Sequence, residues 1–269
     1  MPDKTTKIIF IGDVSGVLGR QGVKDMVPKW KKKYSPDIFI ANIENLAHNK
    51  GVTLKTMEEI SVAGIDAFTG GNHIWKKYDI ATLARETDYK ISCPVNDHRT
   101  PKKYRYQTIN INGTPLVIIN LAGQTFVNYE DETLSNPFLE IDKVLKEVPK
   151  NANIIVDMHA EATSDKRAMG FYLDGRISTL FGTHTHVPTA DAQILAKGTG
   201  YITDVGMTGA YDSILGIKKE IIIEKFLTDK KIIHDLPRTG QIEINALLLE
   251  IDNKSHKTTH IELLRKIIN

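Results

Sequence analysis

Short β-branched runs alternate with longer amphipathic stretches along this chain, and most of the short runs end in a polar cluster. That alternation constrains the fold more than any other feature, because strands separated by helical crossovers build parallel sheets covered by helices. Residues 7–11 read as a strand closed by Gly12-Asp13. Residues 17–34 read as a helix with Val23, Val27 and Trp30 on its apolar face and Pro28 as a kink or break. Residues 37–43 are a near-continuous apolar run, the pattern of a strand buried on both faces. A helix starts at Thr53, with a cap-like Thr56 carrying Glu59 three positions on, and ends near Gly64. Residues 65–69 give a third strand, followed by Gly70-Gly71 and a helix through about Glu86.

The middle of the chain changes character. Residues 104–111 and 115–121 flank Asn112-Gly113, a strong two-residue hairpin signal. A helix over 138–148 leads to a strand over 153–158, and 177–181, 190–195 and 200–203 read as further short strands. A helix near 218–226 precedes two long runs, 241–251 and 256–264, joined by the polar turn Asp252-Asn253-Lys254-Ser255. No repeat, low-complexity tract or Pro/Ser-rich linker interrupts the order, so the expectation is an α/β chain with two sheets forming a single domain over 1–269.

Composition narrows the function classes. Thirty-five Lys and Arg oppose 33 Asp and Glu, a formal charge of +2, which gives no strong nucleic-acid signal. The run Lys29, Lys31, Lys32 and Lys33 reads as a solvated helix end. One cysteine, Cys93, excludes an intrachain disulfide and reads as structural. No apolar signal-like segment and no membrane-length apolar run is legible, so a cytoplasmic location with no membrane partner is expected.

The polar clusters carry the chemistry. Asp13, Glu44-Asn45, Asn72-His73, His159, His184 and His186 all follow strand-like runs. Ligands in open α/β sheets sit beyond the carboxyl ends of the strands, so these residues meet at one rim if their strands are neighbours. Asp13, Glu44, Asn72, His159, His184 and His186 make a mixed N/O donor set without a thiolate, suited to manganese, iron or zinc more than to calcium or magnesium. It exceeds what one ion takes and fits two divalent ions about 3.5–4 Å apart that clamp a phosphate and a bridging hydroxide. Read as an extended segment, His184-Thr185-His186 projects both imidazoles to one side, and Gly182 lets the backbone turn closely before them. His48, His98, His234, His256 and His260 lie in polar surroundings and read as solvent-facing.

Five motifs, Ile11-Gly12-Asp13-Val14, Asn42-Ile43-Glu44-Asn45, Gly70-Gly71-Asn72-His73, Asp157-Met158-His159-Ala160-Glu161-Ala162-Thr163-Ser164 and Gly182-Thr183-His184-Thr185-His186-Val187, resemble in order and spacing the calcineurin-like metallophosphoesterases. The resemblance is narrower still to their bacterial YmdB-like branch, which the stretch from Thr203 to Gly209 also matches. It implies a four-layer α/β/β/α sandwich of two mixed sheets with outer helices. It further implies a phosphodiesterase acting on 2′,3′-cyclic nucleotides or related diesters. Asp13 and His186 would hold one metal, with Asn45 nearby or coordinating; Glu44 would bridge; Asn72, His159 and His184 would complete the second; His73 would be the proton donor. Two departures from the wider superfamily stand out: Ser15 replaces the histidine of the first motif, and Glu44 replaces the usual bridging Asp.

Alternatives remain open in the residues themselves. A phosphomonoesterase of the same fold, or a regulatory binding protein with a weakly active site, would share these motifs. Asp157 and Glu161 are candidates to orient imidazoles, or ordinary packing residues. Phe126, Phe171, Tyr172, Tyr201 and Tyr211 are candidates to stack on a base or to fill a core. Gly206-Met207-Thr208-Gly209 reads either as a substrate-facing loop or as a plain turn. A homo-oligomer is compatible with the sequence, and nothing in it fixes a stoichiometry.

Overall fold

A computed structural model describes residues 5–126, 134–228 and 233–269. In chain order the elements are β1 (Thr5–Ile11), α1 (Gly16–Tyr34), β2 (Ile38–Asn42), α2 (Leu54–Val62), β3 (Ala67–Thr69), α3 (Ile80–Glu86), β4 (Ile91–Ser92), β5 (Tyr106–Ile111) and β6 (Thr114–Ala122). They continue with α4 (Pro137–Glu147), β7 (Asn153–His159), α5 (Thr163–Leu173), β8 (Thr179–Thr183), β9 (Gln193–Ile194), β10 (Gly200–Ile202), β11 (Gly209–Ala210), α6 (Lys219–Thr228), β12 (Ile242–Asp252) and β13 (Thr258–Ile268).

Two mixed sheets result. In the first, β1, β2, β3 and β4 run parallel, β12 pairs antiparallel with β1, and β13 pairs with the other edge of β12. The short β11 lies along β12 beyond the end of β1. The second sheet has the order β5-β6-β7-β8-β10-β9, with β6, β7, β8 and β10 parallel. The Asn112-Gly113 turn joins β5 to β6 with φ of 51° and 91°, the left-handed pair that a type I′ hairpin needs.

Strand periodicity sorts side chains into layers. From β1, Ile9 and Ile11 pack outward with Val23, Val27 and Trp30 of α1, while Ile8 and Phe10 point to the other sheet. There Phe10 meets Phe181 of β8, ring centroids 4.1 Å apart. The second sheet turns Val117, Ile119, Val156 and Leu180 to its own outer core, shared with Ile141 and Val144 of α4 and Met169 and Leu173 of α5. Each such fully buried side chain is worth roughly 1.5–3 kcal/mol of transfer free energy. Helix, sheet, sheet and helix therefore stack as four layers, as the resemblance implied.

The differences from the sequence reading are local. Pro28 does not break α1, which runs through it to Tyr34. The cap of α2 is Thr53, whose hydroxyl accepts from the Thr56 N–H while Thr56 answers to the Thr53 N–H. No helix follows Gly71 directly: α3 begins only at Ile80, capped by the Asp79 carboxylate, and residues 72–75 are turns that carry Asn72 and His73. Residues 190–195 contribute only the two-residue β9. Helix α5 is not legible in the sequence, because Thr163 to Leu173 buries just Lys166, Met169, Gly170 and Leu173. No helix among the described residues is long and apolar enough to cross a membrane.

Candidate functional site

The carboxyl ends of β1, β2 and β3 in one sheet face those of β7 and β8 in the other, and all eight residues singled out in the sequence meet there. Asp13 follows β1, Glu44 and Asn45 follow β2, and Asn72 and His73 follow β3. His159 ends β7, and His184 and His186 follow β8.

One half of the site is a cluster of acceptors around His159 Nε2. Its Nε2 lies 3.0 Å from Asn72 Oδ1, 3.0 Å from His184 Nδ1 and 3.2 Å from Glu44 Oε2. Its Nδ1 faces Thr183 Oγ1 at 2.8 Å. The Thr183 hydroxyl donates to Asp157 Oδ1 at 2.6 Å, so its oxygen accepts from His159 Nδ1–H. Asp157 is buried and also takes the Thr69 hydroxyl (2.5 Å) and the Asn42 amide (3.2 Å). The chain from Asp157 through Thr183 thus turns His159 Nε2 toward the rim. Glu161 does the same for His184 directly, accepting from Nε2 at 2.9 Å and leaving Nδ1 to face His159. The sequence points to Asp157 and Glu161 as candidate orienters; it gives no sign of the linking hydroxyl of Thr183, though Thr183 precedes His184 in the motif.

The other half joins Asp13, Asn45 and His186. Asp13 Oδ2 accepts from the His184 N–H at 3.2 Å, and Oδ1 is buried without a hydrogen-bond partner among the described residues, 3.8 Å from His186 Nε2. Asn45 ties the halves together: its amide nitrogen lies 3.1 Å from Glu44 Oε1 and 3.2 Å from His186 Nε2, and its oxygen 3.1 Å from His73 Nδ1. The His73 N–H donates to Glu44 Oε2 at 2.8 Å.

Burial and charge pull against each other throughout. Burial pushes the Asp13 carboxyl above its usual range, against the pull of His186 and His159. Burial also pushes Glu44 up, but the charge and hydrogen bond of His159 and the contacts of His73 outweigh it and hold that carboxyl well below its usual range. Burial pulls the His159 imidazole down, and Glu44 more than reverses this, lifting it to about 9. Burial, reinforced by the His159 charge, pushes His184 down to about 3. Burial pushes Asp157 up to about 6 despite its donors.

This donor set fits metal. Glu44, His159 and His184 each offer a ligand atom within 4.8 Å of the others. The unsatisfied Asp13 Oδ1 and the imidazole nitrogens that face one another call for positive charge between them. Gly71 makes the cradle possible, since a Cβ there would lie 2.2 Å from Glu44 Oε2 and 2.5 Å from His159 Nε2.

The His-x-His segment works differently from the extended reading. His184 and His186 have left-handed φ of 92° and 63°, and their rings diverge, one to His159 and the other toward Asp13 and Asn45. Thr185 between them is pinned by Asp204, which accepts from its N–H (3.2 Å) and its hydroxyl (2.6 Å). Asp204 also accepts from the buried Lys166 ammonium at 2.6 Å. Gly206 to Gly209 is a buried brace and not a substrate loop: Thr208 N–H donates to Asp13 O (2.9 Å) and Met207 N–H to His186 O (3.0 Å).

A cleft of about 720 Å³ opens over the site, and its lining includes Glu44, Asn45, His73, His184 and His186 together with Leu215, Ile217 and Leu236. His48 and His234, read as solvent-facing, stand at its edge. None of the five aromatic candidates lines it. Tyr201 is in the outer core, and Phe171 and Tyr172 sit on the outside of α5 beside Arg167 and Arg176. His98 and His260 are exposed as expected, whereas His256 is half-buried and bonded to Asn153 Oδ1 at 2.8 Å. Cys93 is buried, and burial pushes its thiol well up.

Comparison with known proteins adds an independent line. The family model described as YmdB-like protein matches residues 9–264. A Bacillus subtilis (strain 168) protein named 2′,3′-cyclic-nucleotide 2′-phosphodiesterase is 44% identical over 264 residues, 98% of this chain and 97% of that one. The crystal structure of a phosphatase from Mycoplasma pneumoniae aligns with a TM-score of 0.90 at 34% identity, covering 98% of this chain and 94% of that one. A Thermus thermophilus protein of solved structure aligns with a TM-score of 0.89 at 33% identity, over 98% of this chain and 100% of that one.

Proposed function

This chain belongs to the YmdB-like family of metallophosphoesterases, and on that premise we propose that it hydrolyses phosphodiesters, 2′,3′-cyclic nucleotides foremost, with a pair of divalent ions and His73 as proton donor. The observation that supports this most is the convergence of Asn72, His184 and Glu44 lone pairs on His159 Nε2 beside the unsatisfied Asp13 Oδ1.

Asp13 and His186 would hold one ion, Asn72, His159 and His184 the other, and Glu44 would lie between them. Such ions supply Lewis-acid charge for the phosphoryl oxygens and an activated water. Iron or manganese suits the mixed N/O set best, and zinc is compatible with it.

The chain's own residues position and protonate. The His73 side chain is 29% exposed while that of Glu44 is 1% exposed, so His73 is the member that reaches a substrate in the cleft. Asn45 Oδ1 and Glu44 Oε1, 3.1 and 3.4 Å from Nδ1, fix the ring and leave Nε2 to deliver a proton to the departing ester oxygen. Asn45 therefore couples the proton donor to the ligand set, whether or not its amide also coordinates.

The test is elemental analysis of anaerobically prepared protein, joined to turnover of 2′,3′-cyclic AMP and of a nucleoside monophosphate. The expected result is metal in the parent, cyclic-diester hydrolysis and no further attack on the monoester. Glu44→Ala should lose the ions, whereas His73→Ala should keep them and lose roughly 10²–10⁴-fold in turnover. Hydrolysis of the monoester alone would make this a phosphomonoesterase. Equal loss of metal and activity in His73→Ala would remove its role as proton donor.

A further inference from the structure

The apolar side of the cleft is built on a strained turn. Ile214 and Ile217 exchange two backbone hydrogen bonds (2.8 and 3.0 Å), and Leu215 and Gly216 between them have φ of 52° and 86°. That is a two-residue type I′ turn, which favours Asn, Asp or Gly at both central positions. A half-exposed leucine in the left-handed region satisfies neither folding preference, and an outlier of this kind points to function.

The turn is held from several sides. The Ser15 hydroxyl donates to Asn49 Oδ1, and the Asn49 amide donates to Leu215 O at 3.3 Å. Gly216 packs so closely that a Cβ there would lie 2.6 Å from Ser15 Oγ. Next in the chain, the Lys218 N–H donates to Asp235 O at 3.0 Å, and the Lys218 ammonium pairs with the Asp235 carboxylate, which brings Leu236 alongside. Leu215, Ile217 and Leu236 thus form a preorganised aliphatic wall of the cleft that Glu44, His73, His184 and His186 also line, and the imidazoles of His48 and His234 belong to the same lining.

We propose that this wall is the specificity subsite for the organic group of the diester, a flat uncharged ring of nucleobase size, and that Ser15 is the positioning residue that sets it. A ring seated there packs on branched aliphatic side chains and stacks on imidazole while its phosphate lies at the polar side. An ester without such a ring gains nothing from the wall. Ser15, standing where the wider superfamily has a histidine, serves the substrate side of the cleft. The inference rests on the phosphodiesterase reading above.

The variant that tests it is Leu215→Asn, because Asn adopts the left-handed backbone readily and keeps the turn while removing its apolar surface. The readout is the ratio of kcat/KM for 2′,3′-cyclic AMP to that for ethylene phosphate, a cyclic diester with no base. The ratio should fall roughly tenfold, through KM, with the metal content of the parent retained. Ser15→Ala should shift the ratio in the same direction by less, again with metal retained. An unchanged ratio in Leu215→Asn overturns the subsite and leaves the phosphodiesterase reading standing. Loss of metal in Ser15→Ala would make Ser15 part of the ligand set and overturn its positioning role. A metal-loaded parent that hydrolyses neither cyclic ester sinks the phosphodiesterase reading and this inference with it.

Discussion

Lys166 is the place to test how the site is held. Its ammonium and the Asp204 carboxylate are both fully buried, 2.6 Å apart, beneath the His184-Thr185-His186 turn. Asp204 accepts from Lys166, from the N–H and hydroxyl of Thr185, and from the Gly206 N–H at 2.8 Å. Lys166→Met keeps the buried stem and removes the charge, leaving Asp204 uncompensated in the interior. Breaking a buried pair in this way costs about 3–5 kcal/mol. For a chain of this size each kcal/mol moves Tm by about 2–4 °C, so a fall of roughly 10 °C is expected. The double variant Lys166→Met/Asp204→Asn should recover part of that loss, because no lone charge remains buried. Both forms should hold divalent ions more weakly, since the Asp204 that anchors Thr185 loses its neutralising partner in one and its own charge in the other. The assay is thermal unfolding of the parent, both single variants and the double, with metal content measured on each. A Lys166→Met protein that melts within about 2 °C of its parent would refute the reasoning, as would a double variant weaker than the sum of the singles.

Two further outcomes follow from the same geometry. Thr183→Val removes both the donor to Asp157 and the acceptor of His159 Nδ1–H, so metal affinity should fall by about 10–100-fold in a chelator competition; an unchanged affinity would show that Asp157 does not act through Thr183. Cys93 is buried with its thiol pushed up by desolvation, so native protein should resist a maleimide that labels it promptly in urea; equal rates in the two conditions would contradict the burial.

The layers and the residues that meet at the rim were legible in the sequence because they rest on short-range signals. Runs such as Ile8 to Ile11 and Ile154 to Val156 are apolar on both faces because each strand packs between a helix layer and another sheet. The polar residue after each such run marks the rim, where the backbone leaves the core. Helix α5 escaped because its buried face includes Lys166 and Gly170, one paired with Asp204 and the other facing the Tyr201 ring, and neither reads as apolar. The turns at 72–75 escaped because helix propensity has no knowledge of a glutamate that claims the His73 N–H. His48 and His234 are exposed, as their polar neighbours suggest, and their place in the cleft lining was hidden only because Leu215 and Leu236 reach it from far along the chain.

The His184-Thr185-His186 segment shows how residues can be placed at the rim by a geometry other than the one strand alternation gives. Strand alternation would send both rings to one side. Instead β8 ends at Thr183, and both histidines take left-handed backbone, a conformation costing of order 1–3 kcal/mol at each non-glycine position. Nothing local repays that cost, for neither ring bonds its own backbone. The compensation comes from below, where Thr185 offers two donors to Asp204 and Lys166 neutralises it, and from the side, where Asp13 takes the His184 N–H. The strain separates the rings, so that one faces His159 and the other faces Asp13. The buried ion pair and the twisted turn are thus two parts of one device that holds the two imidazoles apart.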